Sequence, residues 1–250
     1  TKSLVIGEVI IDQYIFTNAI GKSGKEPVLM LNELRSEKYI GGSAAIANNL
    51  SGFCKKINLT STVGEKKDNL NFIKKKLSKN IKTYFVNKKN STTILKTRYV
   101  DNINTNKIFG TYKFNDDLVD KREENKLINH FNKLVVKSDL VVVSDYGHGM
   151  ISERYAKTIC RSKKFTALNA QINAANIGYH GLKKYKNLDF VIINESELRH
   201  ELRNRHEDIK SLMMQLSTDK NIKYLTVTSG KSGALLYQKN KKKFFFCPAF

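Results

Sequence analysis

Residues 140–149, Leu140-Val-Val-Val-Ser-Asp-Tyr-Gly-His-Gly149, place an apolar run directly before an acid, an aromatic residue, a histidine and two glycines. A short run rich in β-branched residues is typical of a strand buried on both faces in a parallel sheet. Ligands of open α/β sheets bind at the carboxyl ends of strands, so Asp145 is a candidate substrate-binding residue. A plain strand-to-helix turn with Asp145 as a local cap explains the same residues.

Similar apolar runs recur along the chain and alternate with segments of helical period. This order predicts an α/β fold with a doubly wound, mostly parallel sheet and helices on both faces. The predicted strands are Leu4–Ile6, Thr60–Val63, Leu140–Ser144, Phe190–Ile193, Tyr224–Thr228 and Ala234–Tyr237. The predicted helical stripes are Leu70–Leu77, Leu127–Val135 and Ile209–Leu216, with Asp120 as the N-cap of the second and a further helix from Gly41 to about Phe53.

Two stretches interrupt this alternation, at about residues 12–39 and 92–114. Both contain alternating, β-prone sequence such as Thr93-Ile-Leu-Lys-Thr-Arg-Tyr-Val100, without an intervening helical stripe. We therefore expect the two stretches to pair as a small separate sheet, placed as a lid over the main sheet.

The chain of 250 residues carries 44 Lys and Arg against 23 Asp and Glu, a formal net charge of +21. Clustered cations bind nucleic-acid phosphates, which makes a polyanion-binding protein one open hypothesis. The lysines occur in scattered short runs such as Lys74–Lys76 and Lys241–Lys243, without the signature of a recognition module. Solvated surfaces and attraction for small anionic substrates are the favoured interpretation, which argues against a nucleic-acid partner.

Cysteine usage and apolar run length indicate the compartment. Cys54, Cys160 and Cys247 are odd in number and lack paired spacing, which disfavours both a disulfide framework and a zinc site and indicates a reducing cytoplasm. The longest apolar runs are far shorter than the roughly 20 residues that span a bilayer, so no membrane partner is expected. The sequence begins at Thr1, so processing or truncation at this end stays open.

Further candidate site residues follow other predicted strands. Asp12 lies just past the first strand, where a turn or a helix cap is the alternative to ligand binding. Gly41 and Gly42 precede a helix and would let the backbone approach a ligand or act as a hinge. His148 could titrate near neutrality, although no Ser or Cys nucleophile pattern accompanies it.

Two later segments combine strand ends with polar or small residues. Asn194-Glu-Ser-Glu197 begins a helix, where acids suit the helix dipole and can also hold the water shell of Mg²⁺ beside a nucleotide. Val227-Thr-Ser-Gly-Lys-Ser-Gly233 is a small-residue turn between two strands. It lacks the spacing of a Walker A loop, and a plain hairpin turn is the alternative.

Taken in this order, these segments resemble PfkB-type sugar kinases of the ribokinase superfamily. The matching motifs span essentially the whole chain: Val5–Tyr14, the Gly41-Gly42 helix, the Asp145 segment, Asn194-x-x-Glu197 and Val227–Gly233. The nearest branch contains heptose 7-phosphate kinase domains and kinases joined to nucleotidyltransferase domains. Asp145–Gly149, Leu168–Ala174 and Lys184-Tyr185 look like the second group.

The resemblance implies one ribokinase-like domain over residues 1–250 that uses ATP and Mg²⁺ to phosphorylate a hydroxyl of a sugar or sugar phosphate. By this resemblance, Asp12 is the sugar-binding carboxylate, and Gly41 and Gly42 are the glycines at the substrate and the hinge. Asn194 and Glu197 form the motif for Mg²⁺ and phosphate, with Glu197 acting through water. Thr228, Gly230 and Gly233 belong to the nucleotide loop. It also suggests pairing of two copies through the lid and fusion to a nucleotidyltransferase domain.

Lys96 and Arg98, on a predicted lid strand, are our own candidates for holding a substrate phosphate through charge-assisted hydrogen bonds. Simple surface exposure is the alternative for both residues.

The chain departs from the family pattern at several positions. Ala45 stands where an Asn is usual, Glu8 where an Asp is common, and Asn169-Ala-Gln171 replaces an Asp-Pro-type segment, which puts simple heptose specificity in doubt. The family's Gly-Ala-Gly-Asp run, with its general base, is expected shortly beyond Phe250, so the kinase domain is expected to be incomplete at its C-terminus. The two hypotheses are a piece of an active kinase and a non-catalytic sugar- or nucleotide-binding module.

Overall fold

The computed structural model describes residues 1–249, which form two β-sheets and six α-helices. The strands are β1 (Lys2–Gly7), β2 (Val9–Lys22), β3 (Leu29–Gly41), β4 (Lys56–Gly64), β5 (Ile81–Lys88), β6 (Ile94–Asp101), β7 (Lys107–Lys113), β8 (Leu140–Asp145), β9 (Phe165–Ala170), β10 (Phe190–Asn194), β11 (Tyr224–Thr228), β12 (Ala234–Gln238) and β13 (Lys243–Cys247). The helices are α1 (Gly42–Leu50), α2 (Leu70–Lys76), α3 (Lys121–Val135), α4 (Glu153–Cys160), α5 (Glu195–Leu202) and α6 (Ile209–Asp219). In this part of the chain, no helix has both the length and the apolar character needed to cross a membrane.

The central sheet has nine strands in the order β13-β12-β11-β10-β9-β8-β1-β4-β5. Seven neighbouring strands, from β11 to β5, run parallel, and β12 and β13 add an antiparallel edge. The parallel strands carry near-continuous apolar runs because both faces of the sheet are covered.

The alternation of side chains along β1 shows how the two faces are filled. Leu4 and Ile6 belong to a buried cluster that includes residues of α3, α4, α5 and α6, whereas Val5 belongs to a second cluster with α1 and α2. Successive residues of a strand point to opposite faces, so the two helix layers lie on opposite sides of the sheet. The predicted α/β class with a doubly wound, mostly parallel sheet is confirmed.

The second sheet has the strand order β3-β2-β6-β7. Its outer pairs are antiparallel, whereas β2 and β6 are parallel. It is built from residues 9–41 and 94–113, which include most of the two stretches that interrupt the helical alternation in the sequence. The chain enters this sheet directly from the carboxyl end of β1, which sets the second sheet beside the strand ends of the first.

Some element predictions needed correction. The helix expected to run to about Phe53 ends at Leu50, and Leu77 lies just after α2 instead of inside it. The strands β5, β9 and β13 and the eight-residue helix α4 were not predicted. The predicted cap of α3 is confirmed, because the Asp120 side chain accepts hydrogen bonds from the backbone N–H groups of Arg122 and Glu123.

Candidate active site

Asp12 and Arg98 form an ion pair on the second sheet, at its face toward the strand ends of the central sheet. Asp12 lies on β2 and is in register with Lys96 on β6, so both side chains share one face with Arg98 two residues further along. One terminal nitrogen of Arg98 donates to Asp12 Oδ1 over 2.5 Å. The Asp12 and Arg98 side chains are 24% and 25% exposed, so the pair remains accessible to a ligand.

Gly41 leaves the space that the Asp12 carboxylate occupies. A Cβ atom at Gly41 would lie 2.2 Å from Asp12 Oδ2, closer than any real side chain could pack. Gly42 begins α1 with a φ of +58°, and a Cβ there would meet the carbonyl oxygen of Glu8 at 2.3 Å. The structure thus brings together Asp12, both glycines of the predicted pair and the two cationic candidates of β6.

Lys96 is buried between two aromatic rings instead of extending into solvent. Its Nζ lies 5.2 Å from the ring centre of Tyr112 and 5.9 Å from that of Tyr146. The hydrogen bonds of residues 1–249 include none from this Nζ to a protein acceptor. Burial lowers the pKa of Lys96, and the Asp12 carboxylate opposes that effect. An ammonium group with aromatic walls and unused donors can bind an anion.

The carboxylates of Glu8 and Asp145 hold the loop after β8 through hydrogen bonds to its backbone N–H groups. The buried Glu8 carboxylate accepts hydrogen bonds from the backbone N–H groups of Tyr146, over 3.0 Å, and His148, over 3.1 Å. Its pKa is raised by burial and then by the nearby Asp145 charge. Asp145 in turn accepts a hydrogen bond from the N–H of Gly147 over 3.0 Å.

The Asp145 side chain is enclosed by other groups of the protein. It is 1% exposed, and its Oδ2 accepts the Tyr185 hydroxyl proton over 2.6 Å and pairs with Lys184 Nζ at 2.8 Å. A buried carboxylate needs such partners, and here the protein supplies all of them. The geometry supports a positioning function for Asp145, and its predicted contact with the substrate stays a prediction.

A second cluster of predicted site residues lies at the ends of β10 and β11. Asn194 and Thr228 are register partners on these parallel strands. Asn194 caps α5: its Oδ1 accepts from Glu197 N, and its own N–H donates to Glu197 Oε2, both over 2.8 Å. The other Glu197 oxygen accepts from Ile172 N over 3.0 Å. Burial raises the pKa of Glu197.

Gly230 and Gly233 lie in the turn that joins β11 to β12. The two strands form an antiparallel hairpin, which agrees with the plain hairpin turn left open by the sequence. Gly233 packs against the end of β13, since a Cβ there would lie 2.2 Å from the carbonyl oxygen of Cys247. Gly230 has a φ of +52° and open space around it, so only Gly230 offers its backbone to a ligand.

The carboxylates in this part of the molecule do not build a cage for a metal ion. Residues 1–249 contain no cluster of three or more His, Cys, Asp or Glu side chains with metal-binding geometry. Both oxygens of Glu197 already accept backbone hydrogen bonds. Contact through water, as the sequence predicts, is the arrangement that these residues fit, because Mg²⁺ commonly keeps several waters and uses few carboxylates.

Several residues that contact the candidate site residues were not themselves predicted as site residues. Tyr112 and Tyr146 flank Lys96, and Lys184 and Tyr185 hold Asp145, although the last two entered the sequence analysis only through the family resemblance. No local pattern distinguishes these residues, because most of their contacts join segments far apart in the chain. The expected catalytic Asp beyond Phe250 lies outside the described residues.

The sequence pattern of a family described as "pfkB family carbohydrate kinase" matches residues 1–250, the full length given. The chain belongs to the pfkB family of carbohydrate kinases. The residues described above, around Asp12 on the second sheet and at the strand ends of the central sheet, are therefore the candidate active site of a pfkB-family protein.

Curated relatives of this pfkB-family chain include bifunctional proteins. The bifunctional protein HldE of a Nitratiruptor species is 24% identical over 238 residues, which cover 94% of this chain and 49% of the relative. The bifunctional protein HldE of Helicobacter pylori (strain Shi470) is 26% identical over 243 residues, or 95% of this chain and 51% of the relative. The chain spans about half the length of the curated relatives it matches.

Solved structures with the same fold include two sugar kinases. Phosphofructokinase-2 from Escherichia coli in complex with fructose-6-phosphate superimposes with a TM-score of 0.72 at 13% identity, covering 99% of this chain and 78% of that chain. Ribokinase of Arabidopsis thaliana complexed with ribose and ATP gives a TM-score of 0.68 at 14% identity, with the same coverage. These similarities establish a ribokinase-like fold.

Proposed function

We propose that this chain holds a sugar phosphate for ATP-dependent phosphorylation of one of its hydroxyl groups, with a heptose phosphate or a related carbohydrate as the substrate. The observation that carries the proposal is the Asp12–Arg98 pair with Lys96 beside it on one face of the second sheet. A carboxylate accepts hydrogen bonds from sugar hydroxyls, and two adjacent cations attract a phosphate group. The bifunctional HldE relatives favour a heptose phosphate over a free sugar.

In the proposed complex, Asp12 receives hydrogen bonds from hydroxyl groups of the sugar. Arg98 donates to one of the two carboxylate oxygens and thereby orients the carboxylate. The second oxygen lies against Gly41, which has no side chain to cover it. Orientation of the acceptor in this way contributes a large part of the rate in phosphoryl transfer.

Lys96 and Arg98 are proposed to bind the phosphate that the sugar already carries. The Lys96 ammonium is held between Tyr112 and Tyr146, so a bound phosphate would replace water as its hydrogen-bond partner. The net charge of +21 favours arrival of the anionic substrate.

The nucleotide is proposed to lie at the ends of β10 and β11, along Asn194, Thr228 and the open turn at Gly230. Gly233 is proposed to keep that turn tight against Cys247. Glu197 holds the start of α5 and is proposed to contact the Mg²⁺ of Mg-ATP through water. When bound, Mg²⁺ neutralises developing charge on the phosphates. Asp145 keeps the intervening loop in place.

The acceptor hydroxyl also needs a general base. We propose that the Asp expected beyond Phe250 from the family resemblance is this general base. A nucleotidyltransferase domain in the natural protein, pairing of two copies through the second sheet and a cytoplasmic location complete the proposal. The bifunctional relatives support a second activity.

The test uses the complete natural protein and measures ADP formation with heptose 7-phosphate, fructose 6-phosphate and ribose. We expect turnover with a sugar phosphate, and a loss of about a hundredfold or more in kcat/KM for Asp12→Asn. Glu153→Gln, an exposed carboxylate on α4 outside the second sheet, is the control and should match the wild type. Saturable sugar binding without ADP would instead support the non-catalytic binding module.

A further inference from the structure

His148 is a buried polar group that the proposed function leaves unused. Its side chain is 2% exposed, and within residues 1–249 neither Nδ1 nor Nε2 has a hydrogen-bond partner. Buried polar atoms are almost always hydrogen-bonded in native proteins, so two unpartnered nitrogens on one ring call for an explanation. A ligand that supplies the partners is one such explanation.

The main chain around this ring is firmly held. His148 N donates to the buried Glu8 carboxylate over 3.1 Å, and the His148 carbonyl accepts from Lys88 Nζ over 3.0 Å. Gly149 packs its backbone against Asp117, where a Cβ would meet a carbonyl oxygen at 2.0 Å. The ring therefore has a fixed place, as expected for a group that recognises a ligand.

His148 also continues the aromatic wall that flanks Lys96. Its ring centre lies 5.0 Å from that of Phe114, which is 6.2 Å from Tyr112, one of the two rings beside the Lys96 ammonium. The rings of Tyr112, Phe114 and His148 therefore connect the Lys96 cation to the two unpartnered ring nitrogens. A sugar phosphate carries groups that match both, a phosphate for the cation and hydroxyls for the ring nitrogens.

The charges around the ring decide what it can bind. Burial lowers the pKa of His148 to about 4; among the charged neighbours Lys96, Lys88 and His180 act in the same direction, and Asp116 opposes them. At neutral pH the imidazole is uncharged, with one donor and one acceptor. A phosphate oxygen only accepts hydrogen bonds and could satisfy only the donating nitrogen, whereas a hydroxyl group can both donate and accept.

We propose that His148 is a specificity-determining contact for the acceptor sugar, with its two ring nitrogens exchanging hydrogen bonds with sugar hydroxyls while Lys96 and Arg98 hold the phosphate. This inference rests on the proposed function. Phe114 follows β7 directly and packs against the His148 ring, so the proposed contact requires the Phe114 side chain to move aside when the sugar binds. An aromatic face beside the ring suits the apolar C–H face of a sugar.

The direct test observes the ring nitrogens of the complete natural protein labelled with ¹⁵N-histidine. Its long-range ¹H–¹⁵N spectrum is recorded during titration with heptose 7-phosphate, fructose 6-phosphate and inorganic phosphate, and His148→Phe assigns the His148 signals. We expect a sugar phosphate to shift both His148 nitrogen resonances with the same saturation curve that calorimetry gives for binding. Inorganic phosphate should leave them in place.

Kinetics supply a second measurement. His148→Phe should raise the KM for the sugar phosphate about tenfold, since the loss of a hydrogen bond worth about 1.4 kcal/mol is a factor of ten, and should leave the KM for ATP unchanged. His148→Gln keeps a donor and an acceptor and should bind better than His148→Phe. His206→Phe, at an exposed histidine after α5, is the matched control.

The outcomes separate this inference from the function on which it rests. Sugar phosphate binding or turnover with unmoved His148 resonances overturns the inference and leaves the proposed function intact. The same shift with inorganic phosphate alone also overturns it, because the ring would then belong to an anion site. Absence of both sugar phosphate binding and ADP formation overturns the proposed function, and the inference falls with it.

Discussion

Gly41 decides whether the Asp12 carboxylate can occupy its place beside Arg98. Its backbone, with a φ of −123°, suits any residue, so the need for glycine comes from the 2.2 Å approach of a Cβ to Asp12 Oδ2. A methyl group at this position would therefore collide with the Asp12 carboxylate and displace it.

Gly41→Ala should lower kcat/KM for the sugar phosphate about a hundredfold, because a shift of about 1 Å in a positioning group has an effect of that size. Steady-state kinetics on the complete protein measure this. Gly52→Ala is the control, since no heavy atom lies within 4 Å of a Cβ there, and it should leave the rate unchanged. Wild-type kinetics for Gly41→Ala would show that the Asp12 position is unimportant.

His148 should make the stability of the protein depend on pH. The pKa is about 4 in the folded protein and about 6.5 in an unfolded chain, so the unfolded state binds more protons between these values. The His148 contribution to stability is complete above pH 6.5 and is lost as the pH falls toward 4. Over this window the free energy of unfolding of the wild type should fall by about 3 kcal/mol more than that of His148→Gln.

Urea unfolding at a series of pH values measures this difference. His206→Gln removes an exposed histidine and should keep the wild-type pH profile. Parallel profiles for the wild type and His148→Gln would contradict a buried, uncharged His148.

Two buried tyrosines, Tyr155 on α4 and Tyr185 in the segment before β10, differ in the surroundings of their hydroxyl groups. Tyr155 of α4 packs edge-on against Phe131 of α3, and its hydroxyl has no partner within residues 1–249. The Tyr185 hydroxyl donates to Asp145 over 2.6 Å. The same chemical change should therefore have different effects at the two positions.

Tyr155→Phe should leave the free energy of unfolding unchanged or raise it by up to about 1 kcal/mol, because it removes an unsatisfied buried hydroxyl. Tyr185→Phe should lower it by about 2 kcal/mol, because the Asp145 carboxylate loses a charge-assisted hydrogen bond. Chemical denaturation of both variants measures the contrast. Equal effects of the two substitutions would contradict the described hydroxyl environments.

The net charge of +21 acts on the molecule as a whole. If it steers anionic substrates to the candidate active site, kcat/KM for a sugar phosphate should fall severalfold as the ionic strength rises from about 10 to 150 mM, where the Debye length shrinks from about 30 to 8 Å. The value for neutral ribose as the varied acceptor, with Mg-ATP saturating, should change far less. Equal salt dependence for both acceptors would show that the net charge does not steer the anionic substrate.

The polyanion hypothesis makes a separate prediction from the same charge. Binding of duplex DNA should be no tighter than that of an unrelated Lys-rich protein at equal salt, because the lysines form scattered short runs instead of one stripe. A gel-shift titration with both proteins measures this. Much tighter, steeply salt-dependent binding by this chain would favour the polyanion hypothesis.

The apolar runs of the central strands and the spacing of the helical stripes were sufficient to predict the α/β class. Runs such as Leu140–Val143 must be buried on both faces, and this requirement is independent of distant contacts. The weaker signals failed: β9, Phe165-Thr-Ala-Leu-Asn-Ala170, is polar at two of its six positions, and α4 is only eight residues long. The packing of their neighbours stabilises both elements, which a local pattern cannot show.

The amino-acid sequence alone was enough to indicate the family and to mark Asp12, Gly41, Lys96 and Arg98, because Asp12 follows a predicted strand, Gly41 precedes a predicted helix, and Lys96 and Arg98 lie on a predicted lid strand. Only the tertiary structure decided that Asp145 is enclosed by Tyr185 and Lys184, and that Lys96 lies between two tyrosines. It also placed the His148 ring beside Phe114, in the same aromatic wall. The physical reason is that a strand end fixes where a residue lies, whereas burial and the direction of its side chain depend on partners far away in the chain.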